Sequence, residues 1–231
     1  MKISFGQRNV EPDVRMLYDM KEVVYDKEWL KDAENIPLYY MFRDLWKAGD
    51  RQRIEKLGLR YDITIIPGRM LGQEYVKTKG HYHPVAGTVD YPEIYEVLEG
   101  EAHYLLQKRK AERTILVKAK QGNKVIIPPG YGHITINPQN CNLKMANWVC
   151  RNFESEYEPI VEKGGGAWFE LEDGFKKNPN YGSVPDLEIC AADGNNPFDR
   201  NLYDLINEPN KLDFLVSPDE NKKIFEYLEF F

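Results

Sequence analysis

The sequence predicts an all-β fold of the sandwich or barrel class. Short runs rich in β-branched and aromatic residues recur every 8–12 residues or so between 72 and 150, the strand spacing of such folds. Turn formers stand between them: Glu99-Gly100, Gln121-Gly122-Asn123 and Pro128-Pro129-Gly130. Chemistry-bearing residues are concentrated in the same region, since three of the four histidines lie there in two compact segments.

The elements follow in order. DKEWLKDAENIP (26–37) starts a helix with Asp26 as N-cap and stops before Pro37. PLYYMFRDLW (37–46) has the aromatic density of a strand or other buried element. The run ending in DITIIP, closed by Pro67-Gly68, predicts a strand over 59–66. EYVKTKGHYHP is the next strand, and YPEIYEVLEGEAHYLLQK reads as a hairpin turning at Glu99-Gly100. RTILVKAKQGNKVIIPPGYGH holds two more strands, followed by HITINP and LKMANWVC. Beyond 160, EKGGGAWFELEDG leads into a strand-like run and KKNPNYGSVPDLE into an irregular loop. Two helices close the chain. One begins near Pro197, the other at SPDENKKIFEYLEFF with Ser217 as N-cap and Pro218 in the first turn. The division expected is a barrel with an N-terminal helical and strand segment over 1–190, and a helical C-terminal extension over 191–231.

The 231 residues, 42% hydrophobic and 29% charged, provide one sizeable core. A net charge of −6 argues against a general nucleic-acid binder. No apolar run is long enough to span a membrane, and the first residues do not read as a signal peptide. Cys141, Cys150 and Cys190 form no CxxC and read as core residues in a reducing, cytoplasmic protein.

His81 and His83 are separated by one residue, so in an extended chain both imidazoles face one way. Glu93 and Tyr95 share a face by the same rule, with Val97; Ile94, Glu96 and Leu98 face the other. His133 follows the PPGYG turn. Three imidazoles and a carboxylate suit one divalent first-row cation such as Fe, Mn, Ni, Co or Zn. His103 stands outside this pattern and reads as structural or solvated.

These residues carry a resemblance. Gly122, five residues, Pro128-Pro129-Gly130, two residues, His133, three residues and Asn137 reproduce the second cupin motif. His81-X-His83, Glu93, six residues and Gly100 match the first, except that nine residues separate His83 from Glu93 where three or four are usual. Glu93 keeps the spacing to Gly100, with Asp90 the substitute candidate. More narrowly, Thr78-Lys79-Gly80-His81-Tyr82-His83, Glu93-Ile94-Tyr95, Leu105-Leu106-Gln107, Glu162-Lys163-Gly164 and Pro37-Leu38-Tyr39-Tyr40 are similar to the cupin-type glucose-6-phosphate isomerases first recognised in archaea.

The resemblance implies a cupin double-stranded β-helix, or jelly-roll barrel. It implies His81, His83, Glu93 and His133 as metal ligands, iron being the first choice. Thr78 and Gly80 would hold the substrate phosphate, and Tyr40, Tyr95 and Tyr157 would line the sugar-phosphate site. Ser155 stands where the family has a histidine, and a family tyrosine falls near Trp148-Val149. The activity implied is aldose–ketose isomerisation between glucose-6-phosphate and fructose-6-phosphate, in glycolysis and gluconeogenesis. Either Glu93 acts as base through a cis-enediol or a hydride shifts between the two carbons. A dioxygenase, a mannose-6-phosphate isomerase or a non-catalytic sugar-binding cupin is the alternative. A homodimer is expected, because long strand edges need covering.

Overall fold

The computed structural model describes residues 1–192 and 198–226. Ten strands build two largely antiparallel sheets that face each other. In chain order they are β1 (Asp13–Met16), β2 (Pro37–Phe42), β3 (Leu59–Ile66), β4 (Glu93–Glu99), β5 (Glu101–Lys108), β6 (Thr114–Lys120), β7 (Lys124–Ile127), β8 (Tyr131–Ile136), β9 (Leu143–Cys150) and β10 (Glu188–Ala191). One sheet runs β7-β4-β9-β3-β2-β1 and the other β8-β5-β6-β10, where β10 joins parallel to β6.

From β4 to β9, most turns carry the chain from one sheet to the other. β4 and β5 therefore do not pair across Glu99-Gly100, as a hairpin would. β4 pairs with β7 and β9, while β5 pairs with β6 and β8. Gly100 makes that corner with φ +85°, and a Cβ there would lie 3.0 Å from the Asn142 carbonyl oxygen. The turn at 121–123 likewise leads from β6 into the opposite sheet. This alternation is the jelly-roll arrangement, and the fold is a cupin barrel.

The strand at 59–66 and the helix capped by Asp26 form as expected. The Asp26 carboxylate accepts from Trp29 N at 2.9 Å, and the helix spans Lys27–Asp32. A short helix, Arg51–Lys56, precedes β3 and was not anticipated. EYVKTKGHYHP is a strand only at Glu74–Tyr75; residues 77–82 are bridged singly to β8 and to Glu156. Gly80, at φ +77°, breaks the regular pairing there.

The predicted C-terminal helices are largely replaced by tight 3-10 turns at Leu202–Asn207, Pro209–Lys211 and Asp213–Leu215. Pro197 lies outside the described residues. Ser217 caps no helix, and an α-helix begins only at Lys223. Local bonds compete with a helix in that segment: Asn221 donates to the Ser217 carbonyl at 2.8 Å, and the Asp219 carboxylate is drawn to Thr88. The apolar residues of 198–215 do not form one stripe. Phe198, Leu202, Leu205, Ile206 and Phe214 are all buried in one cluster with Tyr61, Ile94 and Trp148 on the outer face of the larger sheet.

A second apolar cluster fills the space between the sheets, with Val97, Leu105, Leu116, Val125 and Ile134 among its members. The alternation on β4 that placed Glu96 with aliphatic residues has a specific cause. Its carboxylate, buried, accepts from Leu202 N at 2.7 Å and pairs with Lys124 at 3.3 Å, tying the C-terminal turns to the sheet. Among the cysteines Cys150 is buried, Cys190 is half-buried and Cys141 is exposed, so Cys141 is not a core residue. No helix of the described residues is long and apolar enough to cross a membrane.

Candidate metal centre

Three elements converge at one end of the barrel. The loop 77–83 is held to β8 by Thr78 N to Thr135 O at 2.8 Å and by reciprocal bonds between His81 and His133, at 3.2 and 3.0 Å. The segment stays extended, so His81 and His83 face the same way, as their spacing predicts. β4 supplies Glu93, and β8 supplies His133. One ligand atom from each of His81, His83, Glu93 and His133 lies within 4.8 Å of all the others.

The longer, nine-residue loop between His83 and Glu93 does not displace either. It folds into its own small hairpin, pairing Val85 with Asp90 and Ala86 with Val89. Asp90 is held in that hairpin, away from the cluster. The base of the hairpin also orients His83: the Tyr91 carbonyl lies 2.8 Å from its Nδ1. At the tip, Thr88 N donates to the Asp219 carboxylate at 2.8 Å.

The electrostatics suit a cation. Burial drives His81 and His133 well below the ordinary histidine range, helped by neighbouring imidazoles, and takes His83 down to about 4. The imidazoles are therefore neutral at physiological pH, with lone pairs to give. Burial pushes Glu93 the other way, up to about 8. Its Oε2, 3.5 Å from His83 Nε2 and 3.4 Å from His133 Nε2, is buried without a hydrogen-bond partner. A buried carboxylate oxygen of that kind, facing three neutral nitrogens, fits a divalent first-row cation.

Around the cluster the chain forms a pocket. Thr78, Gly80, Tyr95 and Tyr157 line it. Tyr95 Oη lies 3.2 Å from His133 Nε2, and burial keeps its phenol protonated. Gly80 admits the close approach of loop and sheet, since a Cβ would lie 2.4 Å from Ile134 Cγ1. Tyr40 is a correction. It sits on the outer face of β2, packed against the cluster that covers the larger sheet, and Tyr39 faces the pocket in its place. The Tyr39 hydroxyl accepts from Lys79 N at 3.3 Å. Ser155 and Val149 line the pocket, whereas Trp148 points to the outer cluster.

Several lining residues escaped the sequence reading: Arg43, Arg60, Asp62, Thr64 and Asn147. Arg60 donates to both oxygens of buried Asp62, at 3.1 and 2.9 Å. Asn147 donates to Glu93 Oε1 at 2.6 Å. The signal for these was present, because Arg60, Asp62 and Thr64 alternate with Tyr61, Ile63 and Ile65. One face of β3 is thus polar although both are buried. His103 is structural, as expected. It lies buried on β5 with Nδ1 2.8 Å from Glu170, fastening a peripheral strand (Trp168–Leu171) to the barrel.

Known proteins are similar to this chain in sequence. A family model described as Glucose-6-phosphate isomerase (GPI) matches residues 14–184. The glucose-6-phosphate isomerase of Thermococcus litoralis is 29% identical over 181 residues, covering 75% of this chain and 89% of its own. That of Pyrococcus abyssi is 33% identical over 178 residues, with 74% and 88% covered. The Pyrococcus furiosus enzyme is 30% identical over 192 residues, with 78% and 95% covered. The matched span takes in all four converging residues and the pocket around them, and on that match the chain belongs to the glucose-6-phosphate isomerase family.

Proposed function

We propose that this chain interconverts glucose-6-phosphate and fructose-6-phosphate, an aldose–ketose isomerisation of glycolysis and gluconeogenesis, with one divalent cation, iron by first choice, held by His81, His83, Glu93 and His133. The observation that carries the reading is the loop 78–83. Thr78, Lys79 and Gly80 line the same pocket as His81 and His83. An anion cradle beside a cation site is what a phosphorylated sugar needs at its two ends. Thr78 Oγ1 accepts from Thr135 N at 2.9 Å, which leaves its own O–H to donate. Positive charge stands nearby, since Arg15 and Lys79 lie 5.8 and 5.9 Å from the Tyr157 ring centre.

When bound, the cation supplies Lewis acidity for the carbonyl and hydroxyl oxygens of the sugar. The remaining work falls to side chains. Tyr39 and Tyr157 flank the phosphate end, and Tyr95 offers a phenolic hydrogen bond at the other. Glu93 is the candidate base for moving a proton between C1 and C2 through a cis-enediol. Burial raises its basicity, and a cation beside it opposes that rise.

We assign the chain to the cytoplasm, where such sugar phosphates occur, and expect a homodimer. Exposed Val14 and Ile189, 41% and 52% accessible on the two edge strands β1 and β10, support pairing of copies. Residues 1–190 and 191–231 are taken as barrel and extension.

The test is turnover of fructose-6-phosphate before and after chelation, with Fe, Mn, Ni, Co and Zn added back separately. Activity should vanish on chelation and return with a cation. Protein that binds a cation yet turns over nothing would overturn the reading.

A further inference from the structure

Glu93 has two carboxylate oxygens in unlike surroundings. Oε2 faces His83 and His133 and has no hydrogen-bond partner. Oε1 is taken by the Asn147 amide at 2.6 Å. Asn147 sits on β9, opposite Tyr95 of β4 on one side and Asp62 of β3 on the other. It is 4% exposed, and the flanking strands fix its backbone. Its amide therefore reaches Glu93 from a rigid wall.

A carboxylate can hold a divalent cation through one oxygen or both. Attachment through both uses one more coordination position and draws both oxygens toward the ion. An N–H fixed on Oε1 opposes this, because the oxygen would have to give up a buried, charge-assisted bond and strand the Asn147 donor. We propose that Asn147 is a positioning residue that holds Glu93 to attachment through Oε2 alone, which keeps coordination positions free for the substrate. The inference rests on the metal-isomerase reading above and adds to it a residue outside the motifs that carry the family resemblance.

A residue present merely to fill the wall would be replaced by leucine, of similar size, without effect on how Glu93 attaches. The test uses the full-length protein, stripped of metal and loaded with Co(II), as wild type, Asn147→Leu and Asn147→Ala. Three quantities are read: the visible Co(II) spectrum, the number of first-shell oxygens by X-ray absorption, and steady-state turnover of fructose-6-phosphate. The variants should bind Co(II) stoichiometrically, gain about one first-shell oxygen and show a weaker visible band. Turnover should fall by about 10–100-fold, the usual effect of losing an outer hydrogen bond to a ligand. The alanine variant keeps the test open should leucine not fold. An unchanged spectrum and oxygen count in a folded variant would overturn the proposal, whatever happened to turnover. Spectral changes as expected in a protein whose wild type isomerises nothing would support the role of Asn147 and overturn the isomerase reading instead.

Discussion

His83 Nδ1 lies 2.8 Å from the carbonyl oxygen of Tyr91, a residue of the insertion that separates His83 from Glu93. A carbonyl can only accept, so the imidazole carries its proton on Nδ1 and presents the Nε2 lone pair to the cluster. The insertion thus sets a tautomer.

This has a measurable consequence for proton release. In the metal-free protein the three imidazoles are already neutral at pH 7, while Glu93, pushed up to about 8, is mostly protonated. Cation uptake at pH 7 should release about one proton per site, and the number should fall toward zero above the Glu93 pKa. Calorimetry in buffers of different ionisation enthalpy measures it. Release of two or more protons would mean that a histidine is charged.

The same shift gives stability a pH slope. Folding raises the Glu93 pKa, so its contribution is fully present below the ordinary carboxylate range and is lost as pH rises toward about 8. Metal-free protein should lose stability over that window, and Glu93→Gln should flatten the slope. Thermal melts at several pH values distinguish the two.

Gly80→Ala should be costly on two counts. Its φ of +77° disfavours a side chain, and the added Cβ would lie 2.4 Å from Ile134 Cγ1. Together these cost about 2–5 kcal/mol, seen in urea titration. Movement of the loop should also weaken cation binding through His81.

Histidines should sort by role. His133→Ala should abolish metal-dependent turnover. His103→Gln breaks the buried contact with Glu170 and should cost about 1.5–3 kcal/mol of stability while leaving metal content unchanged. Metal analysis with denaturation on both variants checks this.

Tyr39→Phe should raise the KM for the sugar phosphate by removing a hydroxyl held at the Lys79 N–H, whereas Tyr40→Phe should leave KM unchanged. Equal effects from both would contradict the observed orientation of β2.

The contrast between Tyr39 and Tyr40 shows where sequence reading stops. On a strand, a shift of one residue exchanges the two faces, and a PLYY match cannot by itself choose between them. The candidate ligands were legible because HxH spacing and the PPGYG turn are local. The strands were legible from composition and punctuation. Which strand pairs with which was not, since the corner at Gly100 sends β5 to the other sheet and no local signal distinguishes that from a hairpin. Asn147 was hidden for a related reason. Its partner is 54 residues away in sequence and becomes a neighbour only when β4 and β9 align. The C-terminal turns were misread as helices because helix-start signals there are overridden by burial on several sides.

The cover over the larger sheet also imposes an order of events during synthesis. The segments that carry His81, His83, Glu93 and His133 have been translated by residue 133, and Trp148 soon after, but part of the cover over the outer face of that sheet comes only from Phe198 onward. While the ribosome adds the intervening segment, Tyr61 and Trp148 lack the Tyr203 ring that packs on both, and Phe5 covers Tyr61 from one side alone. A nascent chain in that interval is open to self-association and to holdase chaperones. Loss of the last thirty or so codons would leave a barrel that keeps its histidines but remains sticky.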